Sequence, residues 1–535
     1  MSRSLLCHLA LAACVLVPRA YGQPVKGLGS VRFETSCAAA TRQPFVRGVA
    51  HLHSFDFGDA VRSFNEVLAA DSTCIIAHWG LALTAWGNPF AAGIKPNAQL
   101  ERGLASVERG RALRGGTDRE RAFLAAAGKL YDNYRTADQR TRVIAYRDAM
   151  AELAAKFPND DEASIFYALA LAFSADPNDK TYEPQRKAGA ILGRLSTRLP
   201  DHPGIAHYLI HTYDVPALAA EGLPAANRYA DIAPSSAHAL HMPSHTYTRV
   251  GKWEASISTN RRSAKAAAEE SSIAEALHAN DYMMYAYLQT GQDSAAARVL
   301  AGLGSLASRF DPNALSAAAP PAAGFFAMAA IPARYVLERG DWQGAAKLEP
   351  RESPFPFTDA ITWFTRGIGA ARTGDTLASG DAARQLERLR DALASRREAY
   401  WTQQVEIQRR GVAAWRTFAR GARTEAIGEM RAAADLEAGT EKNAMTPGPI
   451  VPARELLAEM LMASGDGAGA LRELQATLVT EPGRFRALAG AMRAATMAGD
   501  SAHVRQYARE LAAVAERGDK PGRPELASAR RAASR

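Results

Sequence analysis

Cysteine is scarce in this chain: there are four in 535 residues, and Cys7 and Cys14 both stand in the first 22. A disulfide-dense scaffold is thereby excluded. Cys37 and Cys74 alone remain to pair; an oxidising compartment permits that bond, and two buried free thiols are the equal alternative. Long apolar runs are lacking too, since nothing approaches the eighteen or more consecutive apolar residues of a membrane span. Sustained period-two alternation is missing, which removes β-sheet architectures. Catalytic signatures are missing as well: there is no HExxH, GxSxG or GxxxxGKS/T, and the glycine-rich GDGAGA at 465–470 is a turn between helical segments. No nucleotide cofactor is expected. The net charge of +8 falls to +6 without Arg3 and Arg19, and basic residues are interspersed with acids. The one basic cluster, SARRAASR, ends the chain and reads as part of a solvated, disordered tail over 518–535. Nucleic-acid binding would require a concentrated basic face with base-reading partners, and none is visible.

At the start, MSRSLLCHLALAACVLVPRAYGQ combines Arg3, a short apolar run and small residues at Ala20 and Gly22. This reads as a cleaved secretory leader over 1–22, so the expected location is periplasmic or secreted. Lipid attachment at Cys14 is the other reading; the apolar VLV after LAAC fits a type I leader better.

Ala-rich amphipathic segments broken by Gly, Pro and Asp run from about 41 to about 517. The fold class is therefore all-α. Turn and packing residues recur in VGKWEASI (250–257), TGQDSAAA (290–297), RGDWQGAA (339–346), SGDGAGAL (464–471) and AGDSAHV (498–504), and Pro200 and Pro234 stand 34 residues apart. Each element closes one helix with Gly and opens the next on a small residue. This pattern resembles the tetratricopeptide repeat, which implies a right-handed α-solenoid of helix pairs. Units are expected to begin near 41, 75, 161, 203, 237, 277, 326, 360, 407, 451 and 485. The organisation is an extended segment at 23–40, repeats over 41–312, a Pro/Ala-rich interruption at 313–324, and repeats over 325–517. FETSC, GVAHLHSFDFGDAVRSFNEVLAADSTCIIAHWGLAL and HALHMPSHTYTRVGKWE are further similar to a widespread group of exported bacterial tetratricopeptide-repeat proteins, a likeness that implies fold and compartment but no activity.

Histidine is the residue whose placement carries chemistry. HPGIAHYLIHTYD (202–214) and HALHMPSH (238–245) hold six of the twelve. His207 and His241 are 34 residues apart, as are His211 and His245. Each pair thus takes the fifth and ninth positions of the first helix in consecutive repeats, positions that the resemblance turns toward the concave groove. A spacing of four puts both imidazoles of a pair on one helix face, and packed helices lie about 8–10 Å apart. The four rings can therefore converge. His238 and His278 take second positions; Asp281 and Tyr285 continue the two columns; Asp214, Arg249 and Arg334 are further groove-facing groups.

Three readings follow. The histidines can be a polar lining left by repeat duplication, a ligand set for one divalent transition metal (Zn or Cu before Fe), or donors for an anionic or peptide ligand beside Arg249, Tyr285 and Tyr247. So many ionisable groups on one short arc need partners when buried, which favours a metal held by His207, His211, His241 and His245 in a protein that binds a peptide, protein or small molecule in its groove. One alternative is a metalloenzyme that uses the same histidines, with Tyr285, Asp281 or Glu455 moving protons; another is a metal-free scaffold for envelope complexes. Pro243, between His241 and His245, and Pro332, beside Arg334, each remove a helix hydrogen bond. His53 is expected to pack on Phe55, and His78, His503, Trp363 and Trp401 to pack in the core. Glu455 and Glu459 take fifth and ninth positions, from which a superhelix can return them toward the histidines.

Overall fold

The computed structural model describes residues 23–534 except 92 and 315–317. The leader read over 1–22 lies outside the described residues.

Apart from one antiparallel pair, Gln23–Pro24 with Ser30–Val31, the regular elements of the described chain are helices that pack in sequence, each on the next, in an all-α solenoid. The local cause is visible in the helix Phe57–Ala70. Its buried side chains, Phe57, Ala60, Ser63, Phe64 and Val67, form one helical stripe. Phe64 fits between the flanking helices because they present glycine: a Cβ on Gly48 or Gly80 would lie 2.9 or 2.4 Å from its ring. The expected unit starts near 41, 75, 161, 203, 237, 451 and 485 fall at the beginnings of helices, and those near 277, 326 and 360 lie four or five residues inside one. Gly251 and Gly465, in two of the recurring turns, have φ of 70° and 88°, the left-handed conformation that ends a helix most cheaply on glycine.

Eight helices carry the site. They are α1 (Arg42–His53), α2 (Asp161–Ser174), α3 (Pro203–Thr212), α4 (Ala237–His241), α5 (Pro243–Arg249), α6 (Trp253–Glu269), α7 (Ile273–Gln289) and α8 (Pro321–Glu338). The expected single helix through His241 and His245 is broken at Met242, because Pro243 has no N–H to continue the ladder. Met242 keeps helical dihedrals, so α5 continues on from α4. Pro332, by contrast, lies inside an unbroken α8.

Four features depart from the sequence-based expectations or were left open by them. Helices Asn97–Ala112, Asp118–Gly128 and Gln139–Lys156 fill a stretch that the repeat register left undivided. The segment expected to be a disordered tail forms the helix Pro524–Ala533, which buries Leu526 and Ala529 on the preceding helix. The solenoid is also closed. Trp253 donates to the Gly483 carbonyl (3.0 Å), the Phe485 N–H donates to Gln289 (3.0 Å), and Arg523 pairs with Asp293 (2.6 Å). Cys37 and Cys74 are joined, with Cα atoms 5.1 Å apart. No helix of the described residues is long and apolar enough to cross a membrane.

Candidate metal centre

The six groove histidines fall into two triads, and the division differs from a single four-histidine set. His207 and His211 of α3 group with His238 of α4; His241 of α4 and His245 of α5 group with His278 of α7. Within each triad one nitrogen of every ring lies within 4.8 Å of the others. Each triad thus takes its i, i+4 pair from one repeat and its third ring from the next. The triads touch, with centroids 5.7 Å apart for His211 and His245 and 6.1 Å for His238 and His241. All six rings are buried. Burial drives each imidazole below its ordinary pKa, His241 to about 3, and leaves the rings neutral, as metal ligands must be.

The hydrogen bonds set the tautomers. In the second triad His241 Nδ1 lies 2.7 Å from Asn260 Oδ1. The Asn260 amide is oriented by its own donation to the Ser256 carbonyl (2.8 Å), so His241 Nδ1 carries the proton. His245 Nδ1 lies 3.0 Å from Asp214 Oδ2. Burial opposes ionisation of Asp214, but Lys442 and Arg249 outweigh it and hold the carboxyl well below the usual range, so His245 Nδ1 also donates. Both Nε2 atoms are then bare lone pairs, and they face each other at 3.0 Å. Two buried acceptors at that distance repel unless a cation lies with them.

The first triad repeats the arrangement. His207 Nδ1 donates to the His53 carbonyl (2.7 Å), His238 Nδ1 lies 3.0 Å from Glu275 Oε1, and the two Nε2 atoms are 3.2 Å apart. Burial raises the Glu275 carboxyl, and a proton held there would let His238 donate to His207. The second triad has no such escape. His211 adds a buried Nε2 that has no partner, on a ring stacked 4.0 Å from Phe90.

Other expected site residues lie elsewhere. Arg249 pairs with Asp214 at 2.9 Å, behind His245. Asp281 pairs with Arg334 at 2.9 Å rather than continuing the ligand column. Tyr285 lies against Glu481 (3.3 Å) and Arg484 (3.1 Å). The histidines are faced instead by Tyr282, three residues earlier, with its ring 4.7 Å from His241 and 5.0 Å from His245. Glu455 is taken up by Arg484 and Arg486, and Glu459 by Arg372 and Arg486. His53 does more than pack on Phe55: together with His202 it clamps the two oxygens of Glu162 on α2, at 2.9 and 3.1 Å. Burial alone would raise that carboxyl; the two facing imidazoles hold it well below the usual range. His78 is buried, Trp401 stacks on Phe357 at 3.9 Å, and His503 pairs with Asp500 at 2.6 Å.

The concave groove is entered by the chain itself, where the sequence left undecided whether the superhelix is open or closed. Residues 439–452 enter it: Lys442 reaches Asp214 (3.0 Å), Tyr282 donates to the Ala444 and Thr446 carbonyls (3.0 and 3.1 Å), and Arg334 donates to Thr446 Oγ1 (2.8 Å) and the Gly448 carbonyl (3.1 Å). Under this loop His211, His238, His245 and His278 line a space of about 30 Å³. Beside it, a cavity of about 710 Å³ reaches His211 and Asp214 and is walled by Trp86, Phe90, Tyr400 and Lys95. Asn260, Glu275, Tyr282 and Lys442 had no periodic signal in the sequence, since their contacts come from neighbouring repeats and a loop.

No family model matches the chain, and no curated protein matches it. Among solved structures it is similar to the Cut9–Hcn1 hetero-tetramer of APC/C, with 11% identity and a TM-score of 0.31 over 92% of this chain and 96% of that one. It is likewise similar to the human IFIT1 dimer with m7Gppp-AAAA and to monomeric IFIT1 with Gppp-AAAA, each with 12% identity and a TM-score of 0.37 over 82% of this chain and 90% of that one.

Proposed function

We propose that this chain is an exported helical-repeat protein that binds a transition metal through its groove histidines and covers the site with its own loop. The observation that carries this reading is the His241–His245 contact, in which two Nε2 lone pairs meet at 3.0 Å while Asn260 and ionised Asp214 hold both Nδ1 protons. An imidazole whose far N–H donates to an amide or carboxylate oxygen is the usual arrangement of metal-bound histidine. All-imidazole donors suit Zn and Cu, and then Fe, rather than the oxygen-seeking Mg or Ca. The Cys37–Cys74 disulfide supports export.

A second reading, that of a metalloenzyme, is favoured by the cavity of about 710 Å³ at His211, which is large enough to admit a small molecule to the histidines. The test is elemental analysis of protein purified without a polyhistidine tag, beside the double variant His241→Ala/His245→Ala. At least near-stoichiometric Zn, Cu or Fe, lowered in the folded variant, is the expected result. Metal-free protein that takes up none of these ions when they are added would overturn the reading.

A further inference from the structure

We infer that the six histidines hold two late first-row transition-metal ions side by side, one per triad. This rests on the metal-binding reading above and extends it from one site to a pair. The chain supplies the same donor set twice. In each triad an i, i+4 pair of imidazoles is completed by the second-position histidine of the following repeat, and two Nε2 atoms meet, at 3.2 Å in one and 3.0 Å in the other. Every ring in those two contacts has its Nδ1 engaged by a fixed partner: the His53 carbonyl, Glu275, Asn260 or Asp214.

One ion does not satisfy both triads. Three imidazoles complete the protein's share of a tetrahedral site, so an ion seated among His241, His245 and His278 leaves the His207–His238 contact as it stands. It also leaves His211 Nε2, buried and without a partner, unanswered. An ion in the first triad answers the His207–His238 contact and the His211 nitrogen at once. The pair is adjacent, since His211 and His245, one from each triad, have centroids only 5.7 Å apart, within the 4.5–6.5 Å range found inside the triads. The first ion faces the cavity of about 710 Å³ through His211, and the second lies behind it toward Tyr282.

The experiment is titration of the metal-stripped full-length mature protein with Cu²⁺ and, separately, Zn²⁺. Bound metal is measured by elemental analysis after desalting, and the copper form is examined by electron paramagnetic resonance. Two equivalents per chain with a spin-coupled copper signal are expected. His207→Ala and His241→Ala should each retain one equivalent and give a single uncoupled Cu²⁺ spectrum, with helicity checked by circular dichroism. One equivalent in the wild-type protein, or two without coupling, overturns the paired centre while leaving the metal-binding reading intact. No bound equivalent overturns both. The wild-type stoichiometry decides the matter even if a variant fails to fold.

Discussion

The Lys442 ammonium lies 3.0 Å from the carboxylate of Asp214, which stands 228 residues earlier in the chain. That one ion pair ties the loop at 439–452 to the acceptor of His245 and makes the covering of the site part of its electrostatics. Burial lowers Lys442 to about 8, so at neutral pH it is charged, and with Arg249 it keeps Asp214 ionised.

Replacing Lys442 with Met should therefore loosen the cover without emptying the core. A buried charge-assisted hydrogen bond of this kind contributes about 1–3 kcal/mol. The expected outcome is faster amide hydrogen exchange confined to residues 440–448, with the α1–α3 amides unchanged. Uniformly faster exchange across the chain would mean that the ion pair supports the whole fold rather than the loop.

Asn260→Ala removes the acceptor that keeps the proton on His241 Nδ1. Metal affinity should fall roughly 10–100-fold, the usual effect of losing the acceptor behind a ligating imidazole. Competition against a chelator measures it. Unchanged affinity would show that His241 does not bind metal through Nε2.

The Glu162 clamp makes stability depend on pH in a definite direction. A carboxyl depressed in the folded state adds stability above its unfolded pKa of about 4.3, and that stability is lost as pH falls toward the folded value. Glu162→Gln removes the charge and should lower stability by about 3 kcal/mol at pH 7. The gap to wild type should narrow steadily below pH 5. Denaturant unfolding at pH 7, 5 and 4 provides the comparison, and a gap that stayed constant over this range would contradict the clamp.

Cys37 and Cys74 are joined across a sequence separation of 37. Loop-closure entropy for that length is worth about 4 kcal/mol at 25 °C. Cys37→Ser/Cys74→Ser should lower the unfolding free energy by up to that amount, and reductant should have the same effect on wild-type protein and none on the variant.

Much of this molecule is set by short-range rules that act on neighbouring residues. Ala-rich stripes with a helical period make helices, turn glycines such as Gly251 end them, and small residues such as Gly80 let the next helix approach, so the solenoid and most of its register were legible along the chain. The 34-residue step between His207 and His241 likewise showed that the imidazoles would share one face of the array.

Tertiary structure decided what those imidazoles do. Whether His245 is backed by Asp214 or free, whether His238 joins His207 or His241, and whether Asp281 turns to a metal or to Arg334 depend on rotations of a few ångströms between packed helices, and one repeat's sequence does not record its neighbour's side chains. The closing of the superhelix and the entry of Lys442 into the groove are longer-range still. They rest on polar contacts between groups about two hundred residues apart, such as Lys442 with Asp214 and Trp253 with Gly483, which no periodicity encodes.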